Sequence, residues 1–187
     1  MKTITFIFSF LVSINCFSQI VIATNNNVIT NNSVLLNFEK TNNRGLLLPA
    51  VNAITSITQA GTLVLDATNA NTSQIKLRKN GTTWYNFGRN NGVATPITSN
   101  RPNTIDYTDA KVVLGSSTSN VSGALVLESA TQTMVLPEVS DINNIVNPSP
   151  GMIVYLNQNK CTSYTVPCVD KFLALYNGTE WSFYEAN

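Results

Sequence analysis

Ten carboxylates and no histidine among 187 residues set the limits of the chemistry this chain can do. Without imidazole there is no Ser-His-Asp or Cys-His nucleophile, no histidine general base and no histidine-containing metal site. A glycosidase needs only a carboxyl pair, and the first pair to consider is Asp106-Tyr107-Thr108-Asp109. It lies in a polar stretch with no apolar run to build a pocket, the pattern of a solvated loop. The same two carboxylates with backbone carbonyls offer oxygen ligands for calcium, but EF-hand spacing is absent. Lys76-Leu77-Arg78-Lys79 is the one basic run. On a strand Lys76 and Arg78 share a face, which suits an exposed edge guarded against aggregation at least as well as a phosphate contact. No glycine-rich phosphate loop occurs. A formal net charge of +1, with scattered basic residues, gives no electrostatic footprint for nucleic acid or an anionic membrane. The chain therefore reads as non-enzymatic, with no catalytic residue, cofactor or metal expected.

Two further groups carry chemistry. Trp84, Tyr85 and Phe87 cluster at the same repeat position as Trp181, Phe183 and Tyr184, near the ends of two similar segments. Exposed aromatic side chains stack on sugar rings or anchor protein interfaces, so Trp84, Tyr85, Trp181 and Tyr184 are candidates for an interface or a glycan platform. A repeated core would produce the same repetition. The second group is Cys161 and Cys168, in Cys161-Thr-Ser-Tyr-Thr-Val-Pro-Cys168. Removal of Cys16, the third cysteine, with an export signal would leave these two, and in an exported chain an even cysteine count points to a disulfide. Two cysteines cannot complete a structural zinc site, and their spacing is not that of a C-x-x-C redox motif. Closing so short a loop stabilises by about 2–3 kcal/mol in the chain-entropy account.

Export is read from the N-terminus. Lys2 supplies a positive charge, Ile4 to Val12 is an apolar run, and Cys16-Phe17-Ser18 is a small-x-small end, the pattern of a signal peptide over 1–18. Cys16 as a lipidated N-terminus is the competing reading, against which Asn15 stands where a lipobox has a small residue. No later run reaches the roughly 18 apolar residues of a transmembrane helix. The mature chain is thus expected at the cell surface, outside the cell or in the periplasm.

The elements that must position these residues come in two sets. Ser33-Val-Leu-Leu-Asn-Phe-Glu39 matches Gly123-Ala-Leu-Val-Leu-Glu-Ser129, and Gly45-Leu-Leu-Leu-Pro49 matches Thr133-Met-Val-Leu-Pro137. Ala60-Gly-Thr-Leu-Val-Leu65 matches Pro150-Gly-Met-Ile-Val-Tyr155, and Asn80-Gly-Thr-Thr-Trp84 matches Asn177-Gly-Thr-Glu-Trp181. The order is the same in both, which predicts tandem repeats at 19–88 and 112–187 joined by a polar linker at 89–111. About one residue in four is Asn or Thr, while charged residues are only 11%. Such a composition favours turns and strands over helix. Short Val- and Leu-rich runs between Asn, Gly and Pro clusters predict an all-β fold of strands and hairpins, sandwich- or fibre-like. One or two helical turns are expected after each proline, in Ala50 to Ile57 and Glu138 to Val146. Asn80-Gly81 and Asn177-Gly178 predict type I′ hairpin turns. Met152 to Leu156, Phe172 to Tyr176 and Ala124 to Leu127 are apolar on successive residues, so both faces need cover, from the sister repeat or from another subunit.

The segments Arg44 to Pro49, Pro150 to Tyr155 and Leu175 to Trp181 resemble the tail-fibre-like repeats of secreted Bacteroidota surface proteins and of phage fibres. The resemblance implies a stalk or adhesin module without enzymatic activity. Its implied partners are other cell-surface or envelope proteins and copies of itself, with a trimer as the expected homo-oligomer. Carbohydrate binding through the repeated aromatics is the alternative function. The Cys161–Cys168 insertion departs from the common repeat pattern, as does Asn86-Phe87-Gly88 at the end of the first copy.

Overall fold

A computed structural model describes residues 20–23, 33–38, 43–95, 111–157 and 171–185. The signal-peptide segment, Asp106, Asp109 and both Cys161 and Cys168 lie outside the described residues.

The fold is all-β. In the first half the strands are β1 (Ile20–Ile22), β2 (Val34–Phe38), β3 (Leu46–Leu47), β4 (Ala50–Val51), β5 (Leu63–Asp66), β6 (Ser73–Asn80) and β7 (Thr83–Gly92). In the second they are β8 (Val112–Leu114), β9 (Leu125–Leu127), β10 (Thr133–Val135), β11 (Glu138–Val139), β12 (Met152–Asn157), β13 (Lys171–Tyr176) and β14 (Trp181–Glu185). Corresponding strands pair alike. β1 runs parallel to β2 as β8 does to β9, and β4 runs parallel to β5 as β11 does to β12. β5–β6–β7 and β12–β13–β14 are antiparallel meanders. Even the register agrees: Val51 lies opposite Asp66, and Val139 opposite Leu156.

Each proline is followed by two extended residues and then a single 3-10 turn, Ile54–Ser56 or Ile142–Asn144. That is the short end of the helix expectation. β-branched residues beside a parallel partner strand hold Ala50–Val51 and Glu138–Val139 extended, so the chain coils only once past them. The second turn is capped by Asp141, whose carboxylate accepts from the Asn143 N–H at 2.9 Å; Ala53 provides no such cap for the first.

The hairpin turns differ from expectation. Neither Asn80 nor Asn177 has positive φ; only the glycines do, Gly81 at +30° and Gly178 at +103°. The loop's central residues are therefore Gly-Thr, with glycine first, where a II′-like turn requires it. The asparagine stands one place earlier and serves the turn through its side chain. Asn177 Oδ1 accepts from the N–H groups of Thr179 and Glu180, at 2.8 and 2.9 Å. An Asx contact of this kind competes with the Asn-Gly I′ geometry and here prevails.

The two halves interlock. β2 pairs with β10 and β3 with β12, so a strand from the first half completes a sheet of the second. Between the two meanders lies the main core. Leu63, Leu65 and Ile75 from one sheet pack with Ile153, Leu173 and Leu175 from the other, closed by Leu48, Ala50 and Ala94. On the far side of β12 and β13, Val154, Leu156 and Ala174 pack under Val139, Ile142 and Ile145. β12 and β13 thus find one cover in the sister half and the other in the strap around the second 3-10 turn, whereas in the third such run, Ala124 to Leu127, one face stays open and Leu125 is exposed. A third cluster, Leu35, Leu36 and Leu114 with Leu127 and Met134, joins β2 to β8, β9 and β10. Alternation along each strand divides its residues between these layers.

Candidate functional site

The repeated aromatics sit where the returning strands begin. Trp84 lies opposite Arg78 in the β6–β7 hairpin, and the guanidinium stands 4.8 Å from the indole centroid. Arg78 is buried, and it also donates to the Gly81 carbonyl. Burying a guanidinium is tolerated when an aromatic face and a backbone oxygen replace water. Trp181 holds the equivalent place, opposite Tyr176, with ring centroids 5.1 Å apart. One half therefore stacks a cation on its tryptophan and the other an aromatic ring.

Tyr85 and Tyr184 point toward the space between the sheets. Tyr85 meets Phe87 edge-to-face at 5.0 Å, and Phe87 meets Tyr184 in the same way at 5.2 Å. Phe87 and Tyr184 occupy equivalent places, opposite Ile75 and Leu173, so like positions of the two halves touch each other. The Tyr184 hydroxyl accepts from the Gly88 N–H, which anchors the ring to β7. Of the four candidate residues only Tyr85 is fully exposed, at 45%; Trp84, Trp181 and Tyr184 are half-buried.

Sequence reasoning missed the joint that holds β7 to the β13–β14 turn. Asn177 is 5% exposed; its carbonyl accepts from the Ser73 hydroxyl at 3.1 Å, and its amide donates to the Asn90 carbonyl at 3.1 Å. Asn90 in turn donates to Glu180 at 2.8 Å. Glycine permits the approach: a Cβ on Gly92 would overlap Asn177, and one on Gly178 would overlap Val93. The matching Asn80-Gly81 turn has nothing near its glycine. Two identical dipeptides carried no signal that could separate a docked turn from a free one.

Beside the joint lies an open cleft of about 420 Å³ lined by Gly88, Arg89, Asn90, Glu180, Ser182, Phe183 and Tyr184. It holds one cation and one carboxylate, the latter engaged by Asn90. Its lining includes no carboxyl pair or activated nucleophile of the kind hydrolysis uses. Elsewhere, Asp66 forms an ion pair with Lys76 at 2.7 Å and accepts from the Thr68 hydroxyl and N–H. Burial pushes its carboxyl up, but Thr68 and the Lys76 ammonium outweigh this and hold it below the usual value of 3.8. Among the described residues no three His, Cys, Asp or Glu side chains are grouped to hold a metal ion, and no helix is long and apolar enough to cross a membrane.

What the arrangement offers is surface, built on short strands shared between two halves of one chain. That is the character of an all-β, fibre-like fold. The family model for the phage tail like trimerisation region matches residues 113–186, the span from β8 through β14, and supports the tail-fibre-like character. No curated protein and no solved structure matches the chain.

Proposed function

We propose that this chain is a non-enzymatic structural protein that works by associating with copies of itself, exported and displayed at the cell surface as part of a fibre- or stalk-like assembly. The match of a trimerisation region to residues 113–186 carries this reading, and it makes a trimer the expected state. Low charge and the repeated strand grammar accord with a fibre module of the kind seen in secreted Bacteroidota surface proteins. In the exported chain Cys161 and Cys168 pair, which a crosslinked peptide in mass spectrometry would reveal. The aromatic candidates have partners within the protein: Trp84 lies under the Arg78 guanidinium, Trp181 against a tilted Tyr176 ring, and Tyr85 and Tyr184 each edge-to-face with Phe87, Tyr85 being the exposed one. Glycan stacking would need ring faces that are free. Multi-angle light scattering of the mature chain at micromolar concentration should give three times the mass of one chain; a mass of one chain, unchanged on concentration, overturns the reading.

A further inference from the structure

The pairings place Asn86 and Phe183 at equivalent positions. In the first meander a cross-strand row runs Val64, Lys76, Asn86; in the second it runs Val154, Ala174, Phe183. The neighbouring row begins with Asp66 and Gln74 in one and with Leu156 and Phe172 in the other. These rows lie on the faces turned away from the shared core. The first face carries Val64, buried, then the Asp66–Lys76 ion pair, whose side chains are mostly shielded, and Asn86, which is exposed. The second face is apolar at each of these places, and its Leu156–Phe172 row ends in Glu185, the last residue of β14. Its strap covers Val154, Leu156 and Ala174, but leaves Phe183 48% exposed against Phe172, at 6.0 Å edge-to-face. Val146, next to Ile145 of the same cluster, is 81% exposed.

Resting on the self-association reading, we infer that copies of this chain meet through the outer face of the β12–β14 sheet, with Phe183 as anchor and Val146, which follows Ile145 of the strap, as a second contact. Three observations converge on this occupant. The trimerisation-region match covers β12, β13 and β14 and none of β5, β6 and β7. Within one molecule the same backbone carries a polar face outside the matched region and an apolar one inside it. The apolar face also ends in an aromatic pair, the side chains that dominate the centres of protein interfaces. A second copy presents the same apolar centre, with its one carboxylate, Glu185, at the strand end. The first face would instead bring an ion pair into the centre of the contact.

The test compares the mature wild-type chain with Phe183→Asn, which installs the first half's residue, Val146→Ser and Asn86→Ser, by light scattering across a dilution series. All three positions are exposed, and circular dichroism checks that each variant is folded. Dissociation of Phe183→Asn at a concentration at least about tenfold higher than wild type, with Val146→Ser shifted in the same direction and Asn86→Ser unchanged, supports the inference. An oligomeric wild type whose Phe183→Asn and Val146→Ser forms associate just as tightly overturns the inference and leaves self-association standing. A monomeric wild type overturns both. If Phe183→Asn unfolds, Val146→Ser decides.

Discussion

The Asn80-Gly81 turn stands clear of the protein, whereas the Asn177-Gly178 turn is wedged against β7. The same dipeptide on the same hairpin is a loop tip in one half and a structural joint in the other. Gly61 and Gly151, which open β5 and β12, repeat the contrast. A Cβ on Gly61 would meet nothing within 4 Å, while one on Gly151 would stand 3.3 Å from Leu65 Cβ, beneath a backbone bond from the Leu48 N–H to the Gly151 carbonyl. The lesson is that a repeated sequence repeats local geometry, while the load on each copy is set by what the other copy leans against.

The sharpest way to break this comparison is to add one methyl at each turn. Gly178→Ala should cost about 4 kcal/mol, because overlap with Val93 adds to the strain of positive φ, while Gly81→Ala should cost only about 1 kcal/mol. Urea unfolding of the two variants measures the gap, and equal losses would mean that the joint is not where the halves are held.

A second contrast concerns the outer faces. Leu156→Ala should lower stability by about 3 kcal/mol through the cavity it leaves under Val139 and Ile145. At the matching position Asp66→Asn should cost less than about 1 kcal/mol, since its ion pair is near the surface. Thermal unfolding compares them. Between these lies the pair of strand-opening glycines: Gly151→Ala should cost about 2 kcal/mol and Gly61→Ala about 1 kcal/mol. Guanidinium melts giving the reverse order would contradict the assignment of β3 to the β12 edge.

The smallest effect is on pH. Because the folded carboxyl of Asp66 titrates below its usual value of 3.8, its contribution is fully present above that pH and disappears as pH falls through the lower folded value. Asp66→Asn should therefore flatten the acid side of the stability profile slightly, while Leu156→Ala should leave its shape unchanged. Denaturant midpoints taken between neutral pH and about pH 3 resolve this.

Much of the architecture was legible in the residues. β2 matches the predicted run from Val34 to Phe38, β12 and β13 fall on the doubly apolar segments, and a helical turn follows each proline. Periodicity and turn residues report local geometry, so these emerged directly. The partners of β2 and β3 did not, because a two- or three-residue strand carries no code for which distant edge it joins. The turn type was misread because the Asn177 side chain reaches forward to two N–H groups, a contact that favours glycine as the next residue just as a I′ turn does. The aromatic repetition was visible. Which ring stayed exposed was decided by neighbours such as Arg78, whose burial beneath Trp84 no charge pattern foretold.

The pairing of β3 with β12 also sets the order in which the chain can fold. Leu46 meets Ile153, and Val34 meets Thr133, so β2 and β3 lack these neighbours until most of the chain has been delivered. The β4–β7 sheet forms within the first half, but β2 and β3 wait for β10 and β12, and closing such wide loops before any contact compensates for the lost entropy slows the search. A chain delivered from its N-terminus would thus hold two strand edges open until β12 followed, and would join its halves only in a late step.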